Sequence, residues 1–180
     1  MTRWHKDTQA PVLFLTTNIR RRVPLFRLHP RLGTIVLESL DYCRNKYGLK
    51  VYAYVVMPDH IHLLIGQSRP VHAADFLRDW KGFTGHSIVK TLRKQRLDAL
   101  LQRFAVRGNR RKDSAYQIFQ ADAHVEGVSS RRFFAQKLDY IHNNPVEEGL
   151  SATPVEYEYS SARNYFLGDD SLFRIDRPEW

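Results

Sequence analysis

Two histidines bracket a single isoleucine in the run Met57-Pro58-Asp59-His60-Ile61-His62-Leu63-Leu64-Ile65. In an extended strand, residues two apart share a face, so His60 and His62 point together while Ile61 points away. Paired imidazoles on a rigid strand make half of a metal site. Two histidines on the polar face of a sheet are the plainer alternative. Far downstream, Tyr140-Ile141-His142-Asn143-Asn144-Pro145 places a tyrosine and an amide one helical turn apart. A phenol with a free pKa of about 10 is a weak nucleophile, and a nearby cation favours its phenolate. Neutral imidazoles and an amide oxygen leave the charge of a divalent cation uncompensated, and a phosphodiester can supply the missing anionic ligands. Lys137, one turn before Tyr140, is expected to favour the phenolate as well. Attack by the tyrosine would leave a covalent phosphotyrosine and a free hydroxyl. That intermediate keeps the phosphodiester energy, which suits breaking and rejoining strands.

The rest of the chain says what such a site would meet. The formal charge is +9, which points to a polyanionic partner, either nucleic acid or an anionic membrane surface. At 180 residues with 43% hydrophobic and 12% aromatic content, a single globular domain with a real core is expected, with its centre at about residues 10–165. Cys43 is the single cysteine, which excludes an internal disulfide framework and a thiolate-rich zinc site. No apolar run approaches the roughly 18 residues of a membrane span, and Met1–Asp7 lacks the apolar stretch of a signal peptide. No membrane partner and a cytoplasmic location are the resulting expectations.

The elements that must position the site follow from periodicity. Pro11–Thr17 reads as a strand, followed by a basic loop, Asn18-Ile19-Arg20-Arg21-Arg22. Leu32, Ile35, Val36, Ser39, Leu40 and Cys43 recur at helical spacing, and Gly48 is a good stop. Strands at about Lys50–Val56 and His60–Gly66 flank Met57-Pro58-Asp59 and predict an antiparallel hairpin. A second helix carries Phe76, Leu77, Trp80, Phe83, Ile88 and Leu92 on its apolar side, with Gly82 and Gly85 weakening its middle. Tyr116–Gln120 reads as a short fourth strand. Ser129 or Ser130 caps a last helix that is expected to end near Asn144, ahead of Pro145. In that helix Phe134, Leu138 and Ile141 form the packing stripe, and Lys137, Tyr140 and Asn144 lie on the adjacent one. The order β-α-β-β-α-β-α predicts an α+β, ferredoxin-like split βαβ fold with a central antiparallel sheet and an added C-terminal helix carrying the tyrosine. The histidines are expected to line an open face at the sheet's centre.

The run Met57–His62, followed by Tyr140-Ile141-His142-Asn143-Asn144-Pro145-Val146-Glu147-Glu148-Gly149-Leu150, resembles the REP-associated tyrosine transposases. These are the single-tyrosine branch of the HUH (His-hydrophobe-His) endonucleases, related to single-strand insertion-sequence transposases. Lys81-Gly82-Phe83-Thr84 and Tyr159-Ser160-Ser161-Ala162 extend the resemblance over roughly residues 10–165. It implies that Tyr140 is the nucleophile forming a 5′-phosphotyrosine and that His60, His62 and Asn144 hold magnesium or manganese. The implied substrate is single-stranded DNA beside a small hairpin, often a repeated palindrome. Asn144-Pro145 favours the REP-associated branch, which implies a monomer. Where many relatives carry Trp-Gln before the tyrosine helix, this chain has Tyr116-Gln117, which puts local packing or base contacts in question more than the chemistry.

Arg20, Arg21 and Arg22, Arg110, Arg111 and Lys112, and on the second helix Arg78 and Lys81, are the expected phosphate contacts. Two other readings stay open: a non-catalytic ferredoxin-like nucleic-acid-binding module, and a metal-dependent nuclease that uses water.

Overall fold

The computed structural model describes residues 10–67, 73–106 and 115–178. Its elements are β1 (Val12–Ile19), α1 (Leu25–Leu28), α2 (Leu32–Tyr47), β2 (Leu49–Val56), β3 (His60–Gln67), α3 (Ala73–Lys94), α4 (Asp98–Gln102), β4 (Phe119–Val128), α5 (Arg131–Glu147) and α6 (Ala162–Leu167). The four strands form one sheet in the order β2-β3-β1-β4, with every neighbouring pair antiparallel. The crossover through α2 skips over β3, and the one through α3 skips over β1. This interleaving of two βαβ units is the ferredoxin-like fold expected from the element order.

Both faces of the sheet are covered, which gives three layers. Leu13 and Leu15 of β1 and Ile61, Leu63 and Ile65 of β3 meet Leu40 of α2 and Phe76 and Trp80 of α3. On the opposite face Val12, Phe14 and Leu64 meet Phe134 and Ile141 of α5. Strand alternation therefore assigns His60 and His62 to the α5 side, in line with Leu64. On β2 both Tyr52 and Ala53 belong to the α5 side, and the pairing with β3 shifts register between Val51 and Ala53. The Tyr52 ring lies over Gly66, where a Cβ would come within 2.5 Å of its hydroxyl. A side chain at Gly66 would therefore push this ring off the sheet.

The predicted helix over Leu32–Cys43 is α2, closed by Gly48 at φ 63°, a left-handed conformation that glycine adopts without a Cβ penalty. Helix α3 runs unbroken through Gly82 and Gly85. Phe76, Trp80, Thr84, Ile88 and Leu92, four residues apart throughout, form a fully buried ridge. That packing outweighs a propensity cost of about 1 kcal/mol per glycine.

Three expectations change. β4 is not confined to Tyr116–Gln120: it spans Phe119–Val128, and Tyr116 makes only an isolated bridge to Ala105. Pro145 does not end α5, which continues to Glu147. Phe83, expected on the apolar side of its helix, is 42% exposed and stands edge-on to Tyr42, whereas Trp80 is wholly buried.

The outer edge of β2 is closed by the chain beyond α5. Val56 N–H donates to the Tyr159 carbonyl (2.9 Å), Ser161 N–H to the Tyr54 carbonyl (3.0 Å) and Asp176 N–H to the Val51 carbonyl (2.8 Å). The Tyr159-Ser160-Ser161-Ala162 motif thus covers an otherwise open sheet edge.

Candidate active site

The site is built where β3, the end of β1 and the C-terminal half of α5 meet. Met57 N–H donates to the His60 carbonyl at 2.8 Å, closing the hairpin turn between β2 and β3. Ile19 N–H and Phe26 N–H hold the carbonyls of Asp59 (2.8 Å) and Pro58 (3.0 Å) from outside. His60 is therefore presented from a turn tied at both ends. Register places Thr16 opposite His62 and Asn18 opposite His60.

Each histidine is oriented by a neighbour that contacts its Nδ1. His60 Nδ1 lies 2.8 Å from Asp59 Oδ1, and the other oxygen of Asp59 meets Arg22 Nε at 2.9 Å. His62 Nδ1 lies 2.8 Å from the Thr16 hydroxyl oxygen. With the proton on Nδ1 donated to these oxygens, both Nε2 lone pairs are free to act as ligands, the usual device for orienting a metal-binding histidine. Burial holds the His62 pKa down to about 3, with the neighbouring His60, Lys137, Arg22 and His124 pushing the same way, so the ring is neutral at physiological pH.

The two imidazoles stand 4.8 Å apart between centroids and are nearly perpendicular. They are not on an open face as expected: His60 is 5% and His62 4% exposed, because α5 lies over them. The helix starts at Ser130, whose hydroxyl accepts from Phe133 N–H. It brings Tyr140 edge-on to His62, with 5.1 Å between rings, and to Phe14, with 5.8 Å. Tyr140 remains 40% exposed, while Asn144, one turn on, is buried at 5%.

Two buried polar atoms lack a partner here, His62 Nε2 and Asn144 Oδ1. Such groups are rare in folded interiors and call for a ligand. Two imidazole nitrogens and an amide oxygen suit a divalent cation that keeps positions for substrate oxygens. Among the described residues no cluster of three His, Cys, Asp or Glu side chains is placed to hold an ion.

The Tyr140 pKa is raised, first by burial and then by the negative charge of Glu147, against a lowering hydrogen bond from Asn144; Glu148 raises it further. Lys137 does not take the part expected of it. Its ammonium pairs with Glu126 at 2.7 Å and lies over the Phe14 and Phe133 rings.

The basic residues fall in several places. Arg20 bonds to Gln117, Arg22 is held by Asn18 and Asp59, and Arg21 is exposed with one bond to the Arg103 carbonyl at 3.3 Å. Arg21 and Arg22 both have positive φ, 57° and 52°, in the turn that follows β1. Such strain in non-glycine residues is held in place by the surrounding contacts. Arg78 pairs with Asp75 and Asp79, and Lys81 donates to the carbonyls of Gln120 and Ala121. Arg110, Arg111 and Lys112 lie outside the described residues. Sequence reasoning missed Thr16 and Asp59 as orienting groups; Asp59 directly precedes His60 and was the one with a legible signal.

Fold and site together define a split βαβ domain that presents a histidine pair to a tyrosine on a covering helix. The chain belongs to the IS200-like transposase family, whose model matches residues 12–105. That span contains the histidine pair; Tyr140 and Asn144 lie beyond it. The chain is similar in fold to a REP-associated tyrosine transposase bound to a REP hairpin, at 18% identity and a TM-score of 0.67, covering 99% of this chain and 92% of the other. A candidate transposase from Deinococcus radiodurans R1 overlays with a TM-score of 0.42 at 20% identity, covering 79% and 97% of the two chains. No curated protein matches the chain. No helix among the described residues is long and apolar enough to cross a membrane.

Proposed function

We propose that this protein is a metal-dependent endonuclease and strand transferase that cleaves and rejoins single-stranded DNA beside hairpins, through a 5′-phosphotyrosine on Tyr140. The observation that carries this reading is the pair of unpartnered buried atoms, His62 Nε2 and Asn144 Oδ1, beside an exposed tyrosine. His60, His62 and Asn144 would hold magnesium or manganese. A bound cation supplies charge stabilisation to the phosphodiester and to the tyrosine oxygen.

The chain's own residues do the rest. α5 holds the Tyr140 hydroxyl against the donor set, and Asn144 donates a hydrogen bond that favours its phenolate. The tyrosine oxygen bonds to phosphorus as the bond to the 3′ oxygen breaks. The phenolic proton leaves, and the departing 3′ oxygen ends as a hydroxyl. Because the phosphoryl group stays on Tyr140, the reverse attack by a 3′ hydroxyl can rejoin strands. The REP hairpin bound by the structural neighbour supports a hairpin substrate here. The exposed Arg21 beside the site and the Arg110-Arg111-Lys112 cluster are the proposed phosphate contacts. A monomer is the proposed state.

The test is incubation of end-labelled hairpin oligonucleotides with protein and manganese, followed by a denaturing protein gel beside Tyr140→Phe. A covalent band present only with Tyr140 is expected. Cleaved DNA without an adduct would replace tyrosine by water as the nucleophile, and tight binding without cleavage would favour a binding module.

A further inference from the structure

Among the described residues, every non-glycine with a positive φ is an arginine: Arg21, Arg22 and Arg96. Arg22 serves Asp59 beside the site. Arg96 stands just past the end of α3. Its N–H donates to the Arg93 carbonyl and the Leu97 N–H to the Leu92 carbonyl, both at 3.0 Å. This is the helix-ending motif whose left-handed position usually falls to glycine. At φ 56° an arginine there carries a steric penalty that glycine would avoid. Backbone held in such a conformation clusters at functional sites.

Contacts join this helix end to Arg21. The Arg21 Nη1 donates to the Arg103 carbonyl at 3.3 Å, just beyond α4. One residue on, the Phe104 carbonyl accepts from Gln117 N–H at 2.9 Å, and Ala105 bridges to Tyr116. Arg93, in the last turn of α3, lies over the Tyr116 ring at 5.3 Å. Arg21, Arg103, Tyr116 and Arg93 thus form one continuous surface, with Arg96 at its α3 end. The surface begins at the site. Arg20 N–H donates to the Ile118 carbonyl at 2.7 Å, Ile19 pairs with Phe119, and Asn18 pairs with His60.

The groups it offers suit phosphate. Arg21, Arg93, Arg96 and Arg103 are exposed. None is in an ion pair with a described residue, unlike Arg22, Arg44, Arg78 and Arg163. Residues 90–103 carry Lys90, Arg93, Lys94, Arg96 and Arg103 against Asp98 alone. Tyr116, the aromatic of this surface, is half-buried beneath Arg93. A platform for unpaired bases needs open aromatic faces, whereas guanidinium groups grip phosphate oxygens in pairs. A duplex keeps its bases stacked inside and presents the phosphates of two strands, which matches what this surface can hold.

We propose that Arg21, Arg93, Arg96 and Arg103 seat the double-stranded stem of a DNA hairpin while the adjoining single strand enters the site. The assignment rests on the hairpin-cleaving reading above and deepens it.

The test is fluorescence anisotropy over a series of salt concentrations, with a labelled DNA hairpin and an unpaired oligonucleotide of equal length. Phosphate contacts carry no sequence information, so neither probe depends on a particular palindrome. The variant combines Arg96→Gln with Arg103→Gln. Its control removes the same charge at the far edge of the sheet, by Lys50→Gln with Arg174→Gln, and each fold is checked by thermal melting. Hairpin affinity of the variant should fall at least about tenfold, with a salt slope shallower by about 1.8. Its affinity for the unpaired probe, and the control's affinity for both probes, should stay within about threefold of wild type. Unchanged hairpin affinity in the variant overturns this surface and leaves the hairpin-cleaving reading standing. Equal losses for the two probes overturn the stem assignment, because a single strand would then account for the contacts. Equal losses in variant and control also overturn it, since net charge alone would explain them. A wild type that binds neither probe overturns the hairpin-cleaving reading and this surface together.

Discussion

Tyr140 meets His62 edge to face, their ring centroids 5.1 Å apart and their planes at 74°. The contact is made by the ring and leaves the hydroxyl to Asn144. Tyr140→Phe therefore keeps the packing and removes only the attacking oxygen. Adduct formation should disappear, and stability should stay within about 0.5 kcal/mol of wild type, as for substitutions that leave packing intact. Gel detection of the adduct beside a thermal melt checks both. Wild-type levels of adduct in the variant would exclude Tyr140 as the nucleophile.

Asp59 joins Arg22 to the His60 ring, and Thr16 plays the orienting part for His62. Asp59→Ala and Thr16→Val should each weaken manganese binding by about 10–100-fold, the usual effect of losing a group behind a metal-binding histidine. Titration of the DNA-free protein reads this directly. A cleavage defect with unchanged manganese affinity would place their role elsewhere.

The fold was largely legible because its signals are local. Alternation in His60–Ile65 and the helical spacing of Leu32–Cys43 each survive in the structure as a strand and a helix. β4 was not, since Phe119–Val128 includes Ala, Asp, Glu and Gly residues of low strand propensity. It becomes a strand by pairing with β1. The rule on residues before proline predicts a stop at Pro145, but tertiary packing carries α5 past it, where Pro145 is buried. Within the site, the meeting of Tyr140 and Asn144 with the His60 and His62 pair was legible from strand alternation and helix spacing. The contact of Thr16 with His62 depends on a register between residues 46 positions apart, which no local pattern encodes. The expectation for Lys137 fails for a related reason: its partner, Glu126, lies on a strand with no clear signal in the local sequence.

Ser161 is a buried junction between α5 and the sheet edge. Its hydroxyl oxygen accepts from Tyr54 N–H at 3.0 Å and lies 2.9 Å from His142 Nε2. Ser161→Ala leaves both of those buried groups without their partner, which costs about 1–3 kcal/mol. A fall in Tm of several degrees is expected, at roughly 2–4 °C per kcal/mol for a chain of this size. Because His142 is two residues from Asn144, the variant should also loosen the helix that carries Tyr140. Hydrogen exchange of the α5 amides near 140–144 would rise; an unchanged pattern would confine Ser161 to the sheet edge.

Lys81 links α3 to the start of β4 through the Gln120 and Ala121 carbonyls. Burial pulls its pKa from 10.5 down to about 8, with Asp122 opposing the fall. The folded value lies below the unfolded one, so between pH 8 and about 10.4 the unfolded chain binds more protons than the folded chain. In that window the Lys81 contribution to stability rises with pH, and below pH 8 the charged amine costs the fold its full penalty. The stability of wild type relative to Lys81→Met should therefore increase from pH 8 to pH 10, measured by urea unfolding at each pH. A difference that is flat or declines over this range would mean that the amine stays as well solvated in the folded protein as in the unfolded chain.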